Sequence, residues 1–280
     1  MSGLTPEGFV AKRTPELKVE LEQKLLDVFG PVNLNPSSVF GQLTGLTIEQ
    51  QSDFWSRLED VYWSQYPSSA EGVNLDRVVS LNGLSRLAAR ATTVRAVLTG
   101  TAGTVIAAGR LAATPQTGHQ YELTGEVTLS AATSVGARVV IVTLVANTDY
   151  TINLNGTPYT YNSGASPTET SIMTNLNGLM PDGVTGQVTT EGADAILDLK
   201  YDTPQQIVVS SDMAIQLVSN YGDFASVVVG PLTAPVGSLT QIVTPVAGWD
   251  TVYNRFEGTV GRAAETDTEL RLRQIGRAHV

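Results

Sequence analysis

The chain contains no cysteine and only two histidines in 280 residues. Without thiols it can form no disulfide, no cysteine-ligated zinc site and no thiolate nucleophile. His279 lies at the very end, so a Ser-His-Asp triad or a multi-histidine metal centre would have to be built around His119. His119 stands in Pro115-Gln-Thr-Gly-His-Gln-Tyr121, a loop leading into a strand, where a solvent-facing imidazole is the simpler expectation. Aromatic residues are scarce at 6%, and several, such as Phe54 and Tyr62, fall on apolar stripes, leaving few to line a glycosidase cleft. No carboxylate pair stands out from the acidic background. Basic clusters are missing as well. Seventeen Lys+Arg against 27 Asp+Glu give a net charge of −10, which repels a phosphate backbone, so nucleic acid is not an expected partner.

Glycine-rich phosphate cradles are absent too: Gly100, Gly103 and Gly109 fit neither nucleotide-binding spacing and read as turn glycines. Asp182 and Asp202 lie near turns but in no spaced calcium loop. The longest apolar run, residues 137–146, is too short to span a bilayer and reads as a buried strand. Residues 1–12 lack the charged and apolar regions of a secretory signal. The expectation is a soluble protein that assembles in a reducing cytoplasm, with no catalytic residue, metal, cofactor or small-molecule substrate and no membrane insertion.

What is present is a foldable chain, 42% hydrophobic and 16% charged. Its length allows two or three compact units. The pattern predicts an α+β fold: N-terminal helices, then a mainly antiparallel β domain interrupted by a small inserted α+β module. Residues 1–94 form the helical region. Thr14 is placed to cap a first helix with Pro15 behind it and Leu17, Leu21, Leu25 and Val28 on its buried face. A second helix starts near Pro36 or Ser37 and ends before Pro67. Leu43, Leu46, Phe54, Leu58 and Val61 form its stripe, with Ile48, Trp55 and Tyr62 to one side, an arc wide enough for more than one neighbour. Gly41 and Gly45, four apart, either admit a close backbone approach or merely weaken the first turns. A third helix uses Leu75, Val78, Val79 and Leu81.

Residues 95–146 and 227–260 are expected to form the β-rich domain, with strands over 94–99, 103–107, 121–129, 137–146, 225–229 and 239–243. Residues 147–226 are expected to be the insert. A hairpin turns at Asn155-Gly156, a helix starts with the capping box Ser166-Pro-Thr-Glu169, and strands follow at 184–189, 195–201 and 206–210. Residues 261–274 are the expected start of a helix of a C-terminal domain missing from this chain, opened by the box Thr266-Asp-Thr-Glu269. Residues 275–280, Ile-Gly-Arg-Ala-His-Val, match the translation ATC GGA AGA GCA CAC GTC. That string resembles a sequencing-library adapter, so they are expected to be read-through and are set aside from fold reasoning.

The densest signal runs from Pro245 to Arg273, where a Gly-Trp turn precedes alternating acids and arginines. Arg262, Glu265, Asp267, Glu269, Arg271 and Arg273 suit bidentate contacts with a neighbouring subunit, although composition alone favours a solvated helix face with weak local pairs.

Ordered matches along the chain resemble the phage baseplate J-like family, wedge components of contractile tails. They are Leu4-Thr-Pro-Glu-Gly-Phe9, Asn35-Pro-Ser-Ser38 with Gly41-Gln42, Ala70-Glu-Gly-Val-Asn-Leu-Asp76, Gly83-Leu-Ser-Arg86, Leu98 to Gly109, Gly248-Trp-Asp250 with Asn254, and Gly261-Arg262. The segment 147–226 also resembles a small module inserted in many phage tail proteins. The resemblance implies a baseplate wedge subunit in the virion tail, assembled in the host cytoplasm from copies of itself and other wedge proteins, with a mechanical role and no cofactor. It makes Gly248, Trp249, Asp250, Asn254, Gly261, Arg262, Glu265, Asp267, Glu269, Arg271 and Arg273 the subunit-interface candidates. Family members continue into a further domain, whereas this chain stops at a helix start. A related injection device, a β-rich carbohydrate- or surface-binding tail module and a tail-associated glycosidase are the other readings. The binding module would carry exposed aromatics on 147–226, where Tyr and Ile instead alternate as a core face does.

Overall fold

The computed structural model describes residues 2–6, 8–192 and 194–277. The protein is α+β, with helices leading and a β-rich body following. Five α-helices lie among the described residues: α1 (Thr14–Phe29), α2 (Val39–Trp63), α3 (Gly72–Ser80), α4 (Glu169–Gly178) and α5 (Asp267–Arg277). Its contacts divide the chain into two compact units. One joins the stretch up to Leu87 with that from Glu265 onward; the other is Ala88–Ala264.

In the first unit, β1 (Gly3–Thr5) and β2 (Gly8–Val10) form a small antiparallel hairpin. Arg13, not Thr14, caps α1. Its backbone N–H donates to Glu16 Oε2 at 3.3 Å, and Thr14 and Pro15 become the first helical residues. Ser38 caps α2, its Oγ accepting from the Gly41 N–H at 3.0 Å. A Cβ on Gly41 would run into the Asn35 carbonyl, whereas Gly45 faces open space, so only the first glycine serves a close approach. Ile48 is buried and Trp55 and Tyr62 are half-buried, their rings 6.0 and 5.6 Å from that of Phe9. The stripe expected inside, Leu43, Leu46, Phe54 and Val61, is instead 55, 60, 62 and 60% exposed. One neighbouring layer covers only one side of so wide an arc. In α3, Leu75 and Val79 are fully buried beside Ala70, Leu84 and Leu270. Leu81 is 86% exposed because the helix ends before it, at Ser80.

The second unit is built on an antiparallel nine-stranded sheet. The strands of this unit in chain order, nine of them in that sheet, are β3 (Thr93–Gly100), β4 (Val105–Ile106), β5 (Leu111–Ala113), β6 (Gln120–Leu123), β7 (Val127–Thr128), β8 (Ser134–Ile141), β9 (Asp149–Leu154), β10 (Thr157–Asn162), β11 (Val184–Glu191), β12 (Asp194–Gln205), β13 (Ile207–Val209), β14 (Met213–Ser226), β15 (Gln241–Ile242) and β16 (Trp249–Tyr253). The sheet path runs β11-β12-β8-β14-β6-β5-β15, with β3 pairing β14 and β16. Strands β10, β9 and β13 form a second sheet, and β4 pairs β7. The turn Asn155-Gly156 lies in the left-handed region, φ 48° and 86°, as a tight hairpin requires. Helix α4 is capped by Thr168, not Ser166, through its Oγ1 and the Ser171 N–H at 3.2 Å.

Two cores fill this unit. One gathers Leu98, Tyr121, Leu123, Phe224 and Trp249 with their neighbours; the other gathers Tyr150, Ile152, Ile172, Met173, Leu197 and Tyr201. Segment 147–226 supplies most of the second core, and its strands β11, β12 and β14 are hydrogen-bonded into the same sheet as β8. Of the six residues expected to be read-through, Ile275–Arg277 continue α5, and Ala278, His279 and Val280 lie outside the described residues.

Candidate interface residues

Within the β unit, the Gly-Trp turn is a packing device. Gly248 has φ 87°, and a Cβ there would strike Thr104, while its carbonyl accepts from the Thr101 N–H at 2.8 Å. Trp249 is then placed in the first core, with Nε1 donating to the Thr251 carbonyl at 3.0 Å. Asn254 is fully buried. Its Oδ1 accepts from the Leu239 N–H at 2.9 Å, and its Nδ2 donates to the carbonyls of Pro235 and Phe256 at 2.8 and 2.9 Å. A Cβ on Gly261 would meet the Arg90 carbonyl, and its N–H donates to Thr92 Oγ1 at 2.9 Å. Arg262 pairs through its backbone with Arg90 and donates Nε to the Ala88 carbonyl at 3.0 Å. The Asp250 side chain is exposed and makes no hydrogen bond or ion pair among the described residues.

Within the helical unit, the remaining candidates converge on α5. Arg273 grips Glu265 with two bonds of 2.7 Å and reaches the Ser85 carbonyl at 2.6 Å. The Leu87 N–H donates at 2.8 Å to Glu265 Oε2, the same oxygen that accepts from Arg273 Nη2. Asp267 accepts from the Gly72 N–H at 2.9 Å and from Arg86 Nη2 at 2.6 Å. Arg271 donates to the carbonyls of Pro67 and Ala70 at 3.0 and 2.7 Å. Glu269 closes the expected capping box with Thr266. The charges are therefore engaged inside the chain, pinning α5 by directional bonds while Leu270 fills the small core beneath it.

The electrostatics follow this pairing. The Arg273 guanidinium, then the Leu87 N–H, hold the Glu265 carboxyl below its usual range against burial. The Gly72 N–H and then Arg86 do the same for Asp267, and the Thr266 N–H for Glu269. Arg86 is the hub of this cluster and lies outside the set of interface candidates. It also holds Asp76 at 2.8 Å and the Glu265 carbonyl at 2.7 Å. Its signal was the motif Gly83-Leu-Ser-Arg86, whose arginine ends a segment otherwise poor in charge.

His119 is half-buried in its loop, its carbonyl accepting from the Thr114 N–H at 3.0 Å. Among the described residues, no helix is long and apolar enough to cross a membrane.

No protein family and no curated protein matches the chain. Among solved structures, a chain of the anti-feeding prophage baseplate, determined by electron cryomicroscopy with six-fold symmetry, is similar. It is 13% identical, with a TM-score of 0.36, over 94% of this chain and 52% of its own. This chain thus spans about half the length of that one. A likeness so slight carries no inference about fold or role.

Proposed function

We propose that the chain is a structural subunit of a contractile phage tail baseplate, a wedge component, or its counterpart in a related injection device. The observation that carries the reading is where the family-like residues fall. Gly41, Gly248, Trp249, Asn254, Gly261 and Arg86, met first as motif positions, are those whose contacts the fold uses. A motif set that coincides with fold-specifying contacts is better explained by a shared architecture than by chance.

The role is mechanical: the subunit holds neighbours in place, and neither a cofactor nor a substrate takes part. Its contacts with other wedge proteins lie on the open stripe of α2, Leu43, Leu46, Phe54 and Val61, since exposed apolar patches mark interaction sites. The exposed Asp250 and Arg262 are rim contacts; Glu265, Asp267, Glu269, Arg271 and Arg273 are committed within the chain. The carbohydrate-binding alternative gains nothing from segment 147–226, where Tyr150 and Tyr201 are buried and Tyr159 and Tyr161 pack on the core. The test is removal of the gene from its parent genome. The expected result is tails that lack baseplates and cannot infect; complete, infectious particles would overturn the reading.

A further inference from the structure

Strand β11 is an open edge. It pairs in unbroken register with β12, from Val184↔Tyr201 to Glu191↔Asp194, and with no other strand among the described residues. Sheet edges normally carry a guard such as a proline, a lysine, a bulge or extreme shortness. Other edges here have one: Pro158 on β10, a register shift between Trp249 and Thr251 on β16, and two residues only in β15. The eight residues of β11, Val-Thr-Gly-Gln-Val-Thr-Thr-Glu, have none before the terminal Glu191.

The hydrogen-bond parity can be read directly. The Asp202 N–H donates to the Gly183 carbonyl at 3.0 Å, which makes that pair a hydrogen-bonded one. Antiparallel alternation then turns the backbone groups of Thr185, Gln187 and Thr189 toward β12 and those of Gly186, Val188 and Thr190 outward. These outward N–H and C=O groups are a template for one more strand.

We propose that the added strand is β11 of a second copy of this chain, antiparallel about a two-fold axis at Val188. That register sets Val188 opposite itself and Gly186 opposite Thr190, forming roughly six backbone bonds, two for each hydrogen-bonded pair. It also sets Gln187 opposite Thr189 and Thr185 opposite Glu191, so amide and carboxylate each meet a hydroxyl. No like charges face one another, and Glu191 already has Arg138 of its own chain at 3.3 Å. This register opposes no like charges, so two identical strands can meet across the axis, as an isologous contact requires. This pairing goes beyond the proposed function and does not depend on it.

Sedimentation equilibrium of the full chain tests it, with circular dichroism confirming that each variant is folded. The wild-type chain dimerises reversibly. Gln187→Lys with Thr189→Lys sets lysine against lysine twice across the axis and weakens the dimer by roughly tenfold or more. Gln187→Lys with Thr189→Glu sets opposite charges there and restores it. A wild-type chain that stays monomeric overturns the proposal while leaving the baseplate reading standing. So does a dimer indifferent to the lysine pair, or one not recovered by the lysine–glutamate variant.

Discussion

At Asn254 one side-chain amide serves three backbone groups in an interior closed to water. Asn254→Ala strands the Leu239 N–H and the Pro235 and Phe256 carbonyls, at a cost of about 3 kcal/mol or more. Chemical denaturation measures it, and a loss below about 1 kcal/mol would mean that the cluster repacks around other partners. Tyr201 is the opposite case. Its hydroxyl is buried with no partner among the described residues, and burial pushes the phenol well above its usual range. Tyr201→Phe removes that unpaired group and should stabilise the protein by about 1 kcal/mol, seen as a higher melting temperature; a lower one would reveal a partner for the oxygen. The sequence marked Asn254 as a motif position without showing that it faces inward. Its burial depends on Pro235 and Leu239, in a loop with no periodicity to place it.

At the scale of elements, periodicity served where one face meets one neighbour. The hairpin at Asn155-Gly156 and the strand pair β11–β12 fall where alternation places them. Strand β14 does not: only its last residues were expected. Its inward positions include Asn220, bonded to the Ser130 N–H at 2.9 Å, and Gly222, where a Cβ would crowd Leu98 and Leu123. Polar and missing side chains at core positions erase the alternation. Helix α5 shows what charge adds. Glu265, Asp267 and Glu269 all have lowered pKa values in the folded chain, so their contribution is complete above the unfolded carboxylate range and lost as pH falls through the folded values. Stability should therefore hold at neutral pH and decline below about pH 4.5. Glu265→Gln should be less stable than wild type at pH 7 and lose less on acidification. Thermal melts at neutral and acidic pH measure both, and an unchanged acid response would show that this carboxylate is not held by Arg273.

At the scale of the whole molecule, the α+β class and the succession of helices and strands were legible because they rest on local pattern. The pairing of Arg86, Asp267 and Glu265 was not, since it depends on residues about 180 positions apart meeting in one unit. On the proposed function, the exposed stripe on α2 is the contact with neighbours. Leu46→Ser with Phe54→Ser should change the stability of the isolated chain by no more than about 1 kcal/mol, because both side chains are mostly exposed. Incorporation into particles should nonetheless fail; full incorporation would move the contact elsewhere. The most direct measurement is electron cryomicroscopy of purified particles carrying this chain with a bulky label in the exposed turn around Gly118. The expected result is label in a ring at the distal end of the tail, repeated around the tail axis. Label along the tail tube, on fibre tips, or absent from particles altogether would contradict it.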